Sequence, residues 1–225
     1  MKYSCIITAA GSGSRFDVHQ KKQFCLLNNQ PLLFYSLNFF YEIEEINEII
    51  ISLPNDDFGT IQSFLGSKYP SKVKSVLGGN TRQQSVYHAI QACSHSDYVI
   101  IHDGVRPFIN RMELFEMMGL VQDHNGIILG AKVTNTIKRI NAEQIQSTLD
   151  RSHLIEVYTP QIFKYEILFK CHQEASKLEQ VFTDDAGILE YFQIPLLWYE
   201  TKDHNLKITT KNDLSLAEII LQSKG

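Results

Sequence analysis

Short apolar runs alternate, from Tyr3 to Val133, with segments whose apolar residues recur at helical spacing. The runs read CIIT, EIIISL, VKSVL, YVIIH and GIILGAKV, and the first intervening helix is expected to open near Pro31. Strands that alternate with helices are typical of a parallel sheet covered on both faces. The pattern therefore predicts an α/β fold of the Rossmann-like kind, with a mostly parallel sheet flanked by helices.

The third of these helices has the clearest pattern. Val86, Ala89, Ile90 and Cys93 stand at positions i, i+3, i+4 and i+7, which forms one apolar stripe along a helix. Residues 78–80, Gly-Gly-Asn, precede it and are typical of a turn. We expect a helix that packs on the sheet and whose N-terminus follows a glycine-rich loop.

The alternation stops after Thr134. The segment TIKRINAEQIQSTL contains two short strand-like runs joined by residues 141–143, which predicts a β-hairpin rather than another strand-helix unit. We expect this hairpin to project from the sheet as an arm, over about residues 134–155.

The C-terminal third returns to helices and strands. YEILFKCHQEA and DDAGILEYF read as helices, LLWYE and LKIT as strands, and a last helix is expected after Thr210 with Asp213 three residues on. No linker, repeat or low-complexity segment interrupts the chain. We therefore expect residues 1–225 to form one domain that carries the projecting arm.

Charge and cysteine usage exclude several classes of function. The formal net charge is −4 and no basic run is longer than a pair, which argues against a nucleic-acid partner. The four cysteines are widely spaced, without metal-ligand or disulfide patterns. The N-terminal apolar run is too short for a signal peptide or a membrane span. We expect a cytoplasmic protein that does not bind membranes.

Four unusual loops are expected at one edge of the predicted sheet. In an open parallel sheet, ligands bind at the carboxyl ends of the strands. The loops AAGSGSR, GGNTRQQS, HDGVRPF and DHNLKIT follow or adjoin predicted strands. Each of them alone is also compatible with an ordinary turn or with solvated charges.

The first loop can be interpreted in two ways. Gly11 and Gly13 allow a close approach of backbone to a ligand, and Arg15 and Lys22 supply positive charge just beyond them. The loop is either a plain strand-to-helix turn or a phosphate cradle. The same edge also carries Asp103, Arg106 and Lys207, and the combination suits a polyphosphate with its metal ion.

Other nucleotide motifs do not match. The stretch GSGSRF has Arg15 near the place of the third glycine of a dinucleotide-binding fingerprint, and no suitable acidic residue follows. No Gly-Lys-Ser/Thr completes a P-loop, and no nucleophile elbow is present. A nucleoside triphosphate remains the best candidate ligand.

The ordered motifs resemble one family along nearly the whole chain. AAGSGSR with KKQF, GGNTRQQS, HDGVRPF, TNTIKR, DRSHL, YTPQIF, FTDDAGILEY and NLKIT resemble the 2-C-methyl-D-erythritol 4-phosphate cytidylyltransferases. The resemblance implies a nucleotidyltransferase-type fold and a homodimer joined through the hairpin arm. It also implies transfer of CMP from CTP to the polyol phosphate with Mg²⁺, in the non-mevalonate route to isoprenoids.

The resemblance further implies a role for individual residues. The expected catalytic residues, which would hold the reacting phosphates, are Arg15, Lys22 and Lys207. The expected nucleotide-binding residues are Ala9, Ala10, Gly11, Gly13, Gly79, Asn80, Ser85, Asp103 and Gly104, with Asp103 also beside the metal. The expected acceptor-binding residues are Arg106, which would also brace its loop, Thr136, Arg151, Thr159 and Thr183. Thr136 and Arg151 would come from the hairpin of the neighbouring subunit.

Some positions depart from the family pattern, and rival functions exist. Thr8 replaces a frequent Pro, while Asn80 and Asn135 replace frequent Asp residues, which affects the expected selectivity rather than the reaction. Ribitol 5-phosphate cytidylyltransferases share the nucleotide loops and would differ in the acceptor half. A non-catalytic nucleotide-binding protein would be expected to lose Lys22 or Lys207, and this chain keeps both.

Overall fold

The computed structural model describes residues 1–11, 16, 22–94, 96–203 and 205–223. Within these ranges the strands are β1 (Tyr3–Thr8), β2 (Leu26–Leu27), β3 (Gln30–Pro31), β4 (Ile46–Leu53), β5 (Val73–Leu77), β6 (Tyr98–Asp103), β7 (Gly126–Lys132), β8 (Lys138–Asn141), β9 (Gln144–Thr148), β10 (Ile155–Lys164) and β11 (Leu197–Glu200). The α-helices are α1 (Leu32–Tyr41), α2 (Phe58–Lys68), α3 (Arg82–Gln91), α4 (Arg111–Leu120), α5 (Tyr165–Ala175), α6 (Asp185–Tyr191) and α7 (Lys211–Ser223).

Seven strands form one central sheet in the order β11-β7-β10-β6-β1-β4-β5. Neighbouring strands run parallel except for β10, which pairs antiparallel with both β6 and β7. The expectation of a mostly parallel α/β sheet is confirmed. Strand β10 was not expected, because Pro160 and several polar residues obscure its pattern and a proline argues against a central strand. Its register shifts between Val157 and Gln161, where that proline lies.

The strands β1, β4 and β6 are buried on both faces, as their near-continuous apolar runs require. Ile7 and Ile100 belong to the same buried cluster as residues of α1 and α4. Ile6 and Ile101 belong to a second buried cluster with residues of α3 and α5. Each fully buried isoleucine contributes about 1.5–3 kcal/mol to folding, so these helices are held on both faces of the sheet as predicted.

The carboxyl ends of the central strands lie side by side. Thr8 at the end of β1 is in register with Ser52 of β4 and with Asp103 of β6. The amide of Gly104 donates to the Thr8 carbonyl at 3.0 Å, and the amide of Gly78 donates to the Leu53 carbonyl at 2.8 Å. These bonds hold three of the expected ligand loops at one edge.

The C-terminal segment differs from expectation in one respect. Residues 206–209, LKIT, form no strand, and a backbone bond from Ile208 N to Val105 O, 3.0 Å long, holds them beside the β6 loop. Their β-branched residues are typical of a strand, but residues 206–209 pair with no strand of the sheet. The last helix begins as predicted, because Thr210 and Asp213 exchange the hydrogen bonds of a capping box.

The predicted hairpin is present as β8 and β9, and every residue of both strands is exposed. Ile140 stands opposite Ile145, with 64% and 67% of their surfaces exposed. Ala142 makes the turn with a positive φ of 50°. Among the described helices, none combines the length and apolar character needed to cross a bilayer.

Candidate functional site

Two adjoining cavities open at the carboxyl edge of the sheet. The larger has a volume of about 490 Å³ and lies between the β1 loop, Lys22 and the start of α3. The smaller, of about 270 Å³, lies beside β10 and the loop before α6. Arg82, Asp103 and Lys207 line both cavities. These three residues therefore form a junction between two ligand-sized spaces.

Most of the residues expected to act on a ligand lie around these cavities. The larger cavity is lined by Ala9, Ala10, Gly11, Lys22, Gly79, Asn80, Ser85, Asp103 and Lys207. The smaller cavity is lined by Asp103, Arg106, Thr159, Thr183 and Lys207. Gly104 lines neither cavity and packs against β1 and α1, where a Cβ would lie 3.0 Å from Leu33 Cδ1. Gly13 and Arg15 lie outside the described residues.

The first loop is shaped by the side chain of Gln23, which is buried next to Lys22. Gln23 Nε2 donates to the carbonyl oxygens of Ala9 at 2.7 Å and of Gly11 at 3.3 Å. Because these carbonyls accept hydrogen bonds from Gln23, the backbone from Ala9 to Gly11 is held at the cavity wall. Lys22 lines the same cavity from the adjoining turn.

The second loop approaches the first so closely that residue 78 must be glycine. A Cβ at Gly78 would lie 2.3 Å from Ala10 Cβ, far inside van der Waals contact. Ser85 holds the loop from the other side, since its Oγ accepts from Gly79 N at 3.0 Å and donates to Thr81 O at 2.9 Å. Thr81 caps α3 by accepting from Gln84 N. The cavity-lining backbone is therefore fixed by local hydrogen bonds.

Asp103 is the electrostatic centre of the junction. Its Oδ2 lies 2.7 Å from Lys207 Nζ and 3.4 Å from Arg106 Nε, and its Oδ1 lies 3.8 Å from Arg82 Nε. Burial alone would raise the pKa of this carboxyl, but the Lys207, Arg82 and Arg106 charges hold the pKa well below its usual range. Asp103 is therefore ionised at neutral pH.

Arg106 fastens the segment that carries Lys207. Its Nη1 donates to the Asn205 carbonyl at 2.6 Å, and Asn205 Nδ2 in turn donates to the Thr159 carbonyl at 2.6 Å. The guanidinium lies over the Tyr158 ring, 5.1 Å from its centroid. Arg106 is buried, and this burial lowers its pKa despite Asp103. Arg106 thus joins the loop after β6, through Asp103, to the segment that carries Lys207.

A chain of buried hydrogen bonds lies behind Asp103. The Asp103 amide donates to Thr159 Oγ1 at 3.0 Å, and Thr159 Oγ1 lies 3.1 Å from His102 Nδ1. His102 Nε2 lies 3.1 Å from the Arg106 carbonyl, which can only accept. The imidazole therefore carries its proton on Nε2 and accepts from Thr159 at Nδ1. Burial lowers the pKa of His102 to about 4.

The wall of the smaller cavity joins β10 to the start of α6. Gln161 Nε2 donates to Asp184 Oδ2 at 2.8 Å, and Asp184 Oδ1 caps the helix by accepting from Gly187 N at 3.0 Å. Thr183 is exposed beside this pair. It lines the smaller cavity.

Thr136 and Arg151 are not brought to either cavity of this chain. Both are exposed, and Arg151 Nη1 donates to the backbone carbonyl of Thr134. Neither side chain lines the two cavities described above. Their expected role at the acceptor stays a prediction that depends on a second subunit.

The sequence did not predict the set of interacting side chains formed by Arg82, Asp185 and His172. Arg82 Nη1 lies 2.7 Å from Asp185 Oδ2, and Asp185 Oδ1 lies 3.1 Å from His172 Nε2. Asp185 and His172 are completely buried. The signal available in the sequence was Arg82 inside GGNTRQQS, but its partners come from α5 and α6, which no local pattern connects to α3.

A divalent cation could be held here by one protein carboxylate. No cluster of three or more His, Cys, Asp or Glu side chains suited to a metal occurs among the described residues. Among the described residues, however, the contacts of Asp103 Oδ1 are long, 3.3 Å to Thr8 Oγ1 and 3.8 Å to Arg82 Nε. Mg²⁺ commonly takes one or two carboxylates and completes its shell with substrate phosphates and water. The residues present fit that mode of binding.

Comparison with known proteins gives a consistent result. The family model of 2-C-methyl-D-erythritol 4-phosphate cytidylyltransferase matches residues 3–223. The protein of that name from Clostridium acetobutylicum is 38% identical over 224 residues, which are 98% of this chain and 97% of that protein. The one from Clostridium novyi (strain NT) is 36% identical over 225 residues, 99% of this chain and 97% of that protein.

Solved structures resemble the chain over its whole length. The crystal structure of 4-diphosphocytidyl-2C-methyl-D-erythritol synthase from Anaerococcus prevotii DSM 20548 superimposes with a TM-score of 0.85 at 28% identity. The match covers 98% of each chain. The comparison of sequences and the comparison of structures therefore agree.

Proposed function

The chain belongs to the 2-C-methyl-D-erythritol 4-phosphate cytidylyltransferase family, and from this premise we propose that it transfers CMP from CTP to 2-C-methyl-D-erythritol 4-phosphate. The products are 4-diphosphocytidyl-2-C-methyl-D-erythritol and pyrophosphate, in a step of isoprenoid precursor synthesis. The enzyme is thus a nucleotidyltransferase.

The observation that carries the proposal is the junction of two cavities at Asp103. A transferase must hold a donor and an acceptor side by side, and the larger cavity suits a nucleotide while the smaller suits a polyol phosphate. The shared residues Lys207 and Arg82 place positive charge where the two substrates would meet. This supports a direct transfer between bound substrates.

The reaction requires no general base. A phosphate monoester has its second pKa near 6, so the acceptor phosphate is largely dianionic at neutral pH and is a competent nucleophile. One of its oxygens forms a bond to the α-phosphorus of CTP, while the bond between that phosphorus and the bridging oxygen breaks and leaves its electron pair on pyrophosphate. The obstacle is repulsion between two polyanions, which fixed positive charge reduces.

The proposed catalytic residues are cations that address this repulsion. Lys22, at the wall of the larger cavity, would bind oxygens of the CTP phosphates, together with Arg15. Lys207 would bind the reacting phosphates from the junction. The backbone of Ala9 to Gly13, with Gly79, Asn80 and Ser85, would hold the nucleotide. Thr159 and Thr183 would hold the acceptor.

Mg²⁺ is proposed as the cofactor, with Asp103 as its protein ligand. When bound it would neutralise phosphate charge and align the phosphates for in-line attack. Asp103 suits this role because it is ionised and because the contacts of its Oδ1 with the other described residues are long. Its backbone amide, bonded to Thr159, keeps the carboxylate at a fixed position.

We further propose that residues 1–225 act as one nucleotidyltransferase domain in a cytoplasmic homodimer, joined through the arm at about 134–155. The exposed pair Ile140 and Ile145 supports this, since a fully exposed hairpin with apolar cross-strand residues is suited to a partner. In the dimer, Thr136 and Arg151 would complete the acceptor site of the neighbouring subunit. The four cysteines form no disulfide, which agrees with a reducing compartment.

The test is the release of pyrophosphate from CTP in the presence of Mg²⁺ with each candidate acceptor. We expect release with 2-C-methyl-D-erythritol 4-phosphate and a product of the matching mass. Faster turnover with ribitol 5-phosphate would assign the chain to that reaction instead. CTP binding without turnover of any acceptor would indicate a non-catalytic nucleotide-binding protein.

A further inference from the structure

We infer that Arg82 is a further catalytic residue, which contacts phosphate at the junction of the two cavities and is positioned for this by the buried pair Asp185 and His172. The inference rests on the proposed function. It adds a fourth cation to Arg15, Lys22 and Lys207, and it assigns a role to two buried residues, Asp185 and His172, that the reaction does not otherwise use.

Arg82 is placed where donor and acceptor phosphates would meet. It is the first residue of α3, and its side chain lines both cavities. The side chain remains 28% exposed, and its charged contacts with other described residues are Asp185 at 2.7 Å and Asp103 at 3.8 Å. A guanidinium has five N–H donors in a planar fork. Donors beyond those facing Asp185 are therefore available to phosphate oxygens.

Asp185 provides a rigid attachment for the Arg82 side chain. It is completely buried at the start of α6, and burial alone would raise its pKa, but Arg82 and His172 hold the pKa below its usual value. The carboxylate is therefore charged. A buried carboxylate that loses its cation is strongly destabilising, so the Arg82 guanidinium is kept beside Asp185 rather than sampling many rotamers.

His172 fixes the orientation of Asp185. Its ring is completely buried in α5, and Nε2 lies 3.1 Å from Asp185 Oδ1. A carboxylate can only accept, so Nε2 carries the proton and donates. The ring also stacks on Tyr87 of α3, with the centroids 6.3 Å apart. The side chains of His172 in α5, Asp185 in α6 and Arg82 in α3 thus form one series of contacts, which ends at the junction of the two cavities.

Positioning of this kind matters because the charge must stand at a fixed point during the transfer. Preorganised cations lower the barrier by more than mobile ones, because they need no rearrangement as charge develops on the phosphates. Lys207 presents a compact ammonium charge paired with Asp103, whereas Arg82 presents a planar fork of donors that is held at one end by Asp185. We expect Arg82 to act mainly on turnover rather than on ground-state binding.

The decisive experiment compares Arg82→Gln, Asp185→Asn and the double variant Arg82→Gln/Asp185→Asn. Arg82→Gln alone leaves Asp185 buried and charged and can fail to fold for that reason. The double variant removes both charges and lets two amides face each other, so we expect a melting temperature close to wild type. Its kcat should nevertheless fall by about a hundredfold or more, because the cation at the junction is gone.

Asp185→Asn and substitutions of His172 test the positioning role. Asp185→Asn keeps Arg82, so we expect a loss of about tenfold in kcat with a small change in KM for CTP. His172→Leu should show a similar but smaller loss, and His172→Gln, whose amide can still donate to Asp185, should recover turnover. Arg111→Ala is the matched control, since Arg111 pairs with Glu42 on the surface and its loss should leave kcat unchanged.

Near-normal kcat in the folded double variant would overturn the inference and reduce Arg82 to a structural partner of Asp185. Equal kcat values of His172→Leu and His172→Gln would show that the hydrogen bond from His172 to Asp185 has no part in positioning Arg82. Failure of the proposed function would look different, because the wild-type chain itself would then release no pyrophosphate with 2-C-methyl-D-erythritol 4-phosphate.

Discussion

Lys207 Nζ lies 2.7 Å from Asp103 Oδ2, and this contact joins the segment before α7 to the carboxyl end of β6. Arg82 and Arg106 approach the same carboxylate, while Asp185 compensates part of the Arg82 charge. Among the described residues that line the two cavities, four are cations (Lys22, Arg82, Arg106 and Lys207) and two are carboxylates (Asp103 and Asp184), which leaves an excess of positive charge even with Asp185 behind Arg82. Such an excess suits ligands that carry several negative charges at one place.

Replacement of Lys22 by alanine should preserve the fold and lower turnover by about a hundredfold or more. Lys22 lines the larger cavity from the start of a short 3-10 helix, and its removal takes away a charge matched to the transition state. Steady-state pyrophosphate release from the purified variant measures the effect. Circular dichroism verifies that the variant is folded.

Lys177→Ala is the control for the loss of a lysine. Lys177 forms a surface pair with Glu174 and lines neither cavity, so this variant should keep wild-type turnover. If folded Lys22→Ala were as active as the control, the catalytic role of Lys22 would be wrong.

CTP should be used in preference to UTP and to purine triphosphates. The base is expected beside Asn80 and Gly79, where the first two loops approach so closely that a Cβ at Gly78 would lie 2.3 Å from Ala10 Cβ. An amide side chain offers both a donor and an acceptor to a pyrimidine with an exocyclic amine. Competition between equal concentrations of the four nucleotides, with the products separated by mass, measures the preference. Equal turnover with ATP would show that the base lies elsewhere.

The edge of the sheet that carries the site could be predicted because its signals are local. Runs such as EIIISL and YVIIH mark buried strands, and glycines or Asp103 directly after them mark the loops. In a parallel sheet these loops must meet at one edge. The structure accordingly brings Lys22, Asp103 and Lys207 together at one cavity.

The parts that could not be predicted depend on pairing between distant segments. Strand β10 fills the space between β6 and β7 in the antiparallel direction, although its sequence contains Pro160. Asp185 looked like an ordinary acidic residue at a helix N-terminus, but α6 places it against Arg82. LKIT was wrongly assigned to a strand, because β-branched residues favour extended backbone whether or not a partner strand is available.

The stability of the protein should fall as the pH decreases below about 6.5, partly because of His102. The folded state holds this ring neutral down to a pKa of about 4, while the unfolded chain binds a proton at about 6.5. Protonation therefore favours the unfolded state throughout this interval. We expect His102 to remove about 2 kcal/mol of the free energy of unfolding between pH 7 and pH 5.

Urea unfolding of wild type and His102→Gln at pH 7 and at pH 5 measures this contribution. It is the difference between the two proteins in how far the free energy of unfolding falls over this pH interval. His102→Gln should lose less stability on acidification than wild type does. His124→Gln, at an exposed position, should follow wild type. An equal loss of the free energy of unfolding in all three proteins would contradict the prediction. It would mean that His102 is already protonated in the folded state at pH 5 or that other titrating groups cause the loss.

The hairpin can be tested by complementation between two inactive variants. Arg151 bonds the Thr134 carbonyl and lines neither cavity of its own chain, so its proposed action on the acceptor requires a second subunit. Lys22→Ala and Arg151→Ala should each be nearly inactive alone. In a mixed dimer, one site takes its nucleotide loop from the chain that retains Lys22 and its clamp from the chain that retains Arg151, and that site is intact.

Random mixing makes half of the dimers mixed, and one of their two sites works, so co-refolding should restore about a quarter of wild-type activity in a twofold dimer. The control mixes Lys22→Ala with Lys207→Ala. Because both of these residues line the same cavity of one chain, every site in that mixture keeps a defect and activity should stay low. If native mass spectrometry showed mixed dimers of Lys22→Ala and Arg151→Ala without recovery, Arg151 would act in its own subunit or not at all.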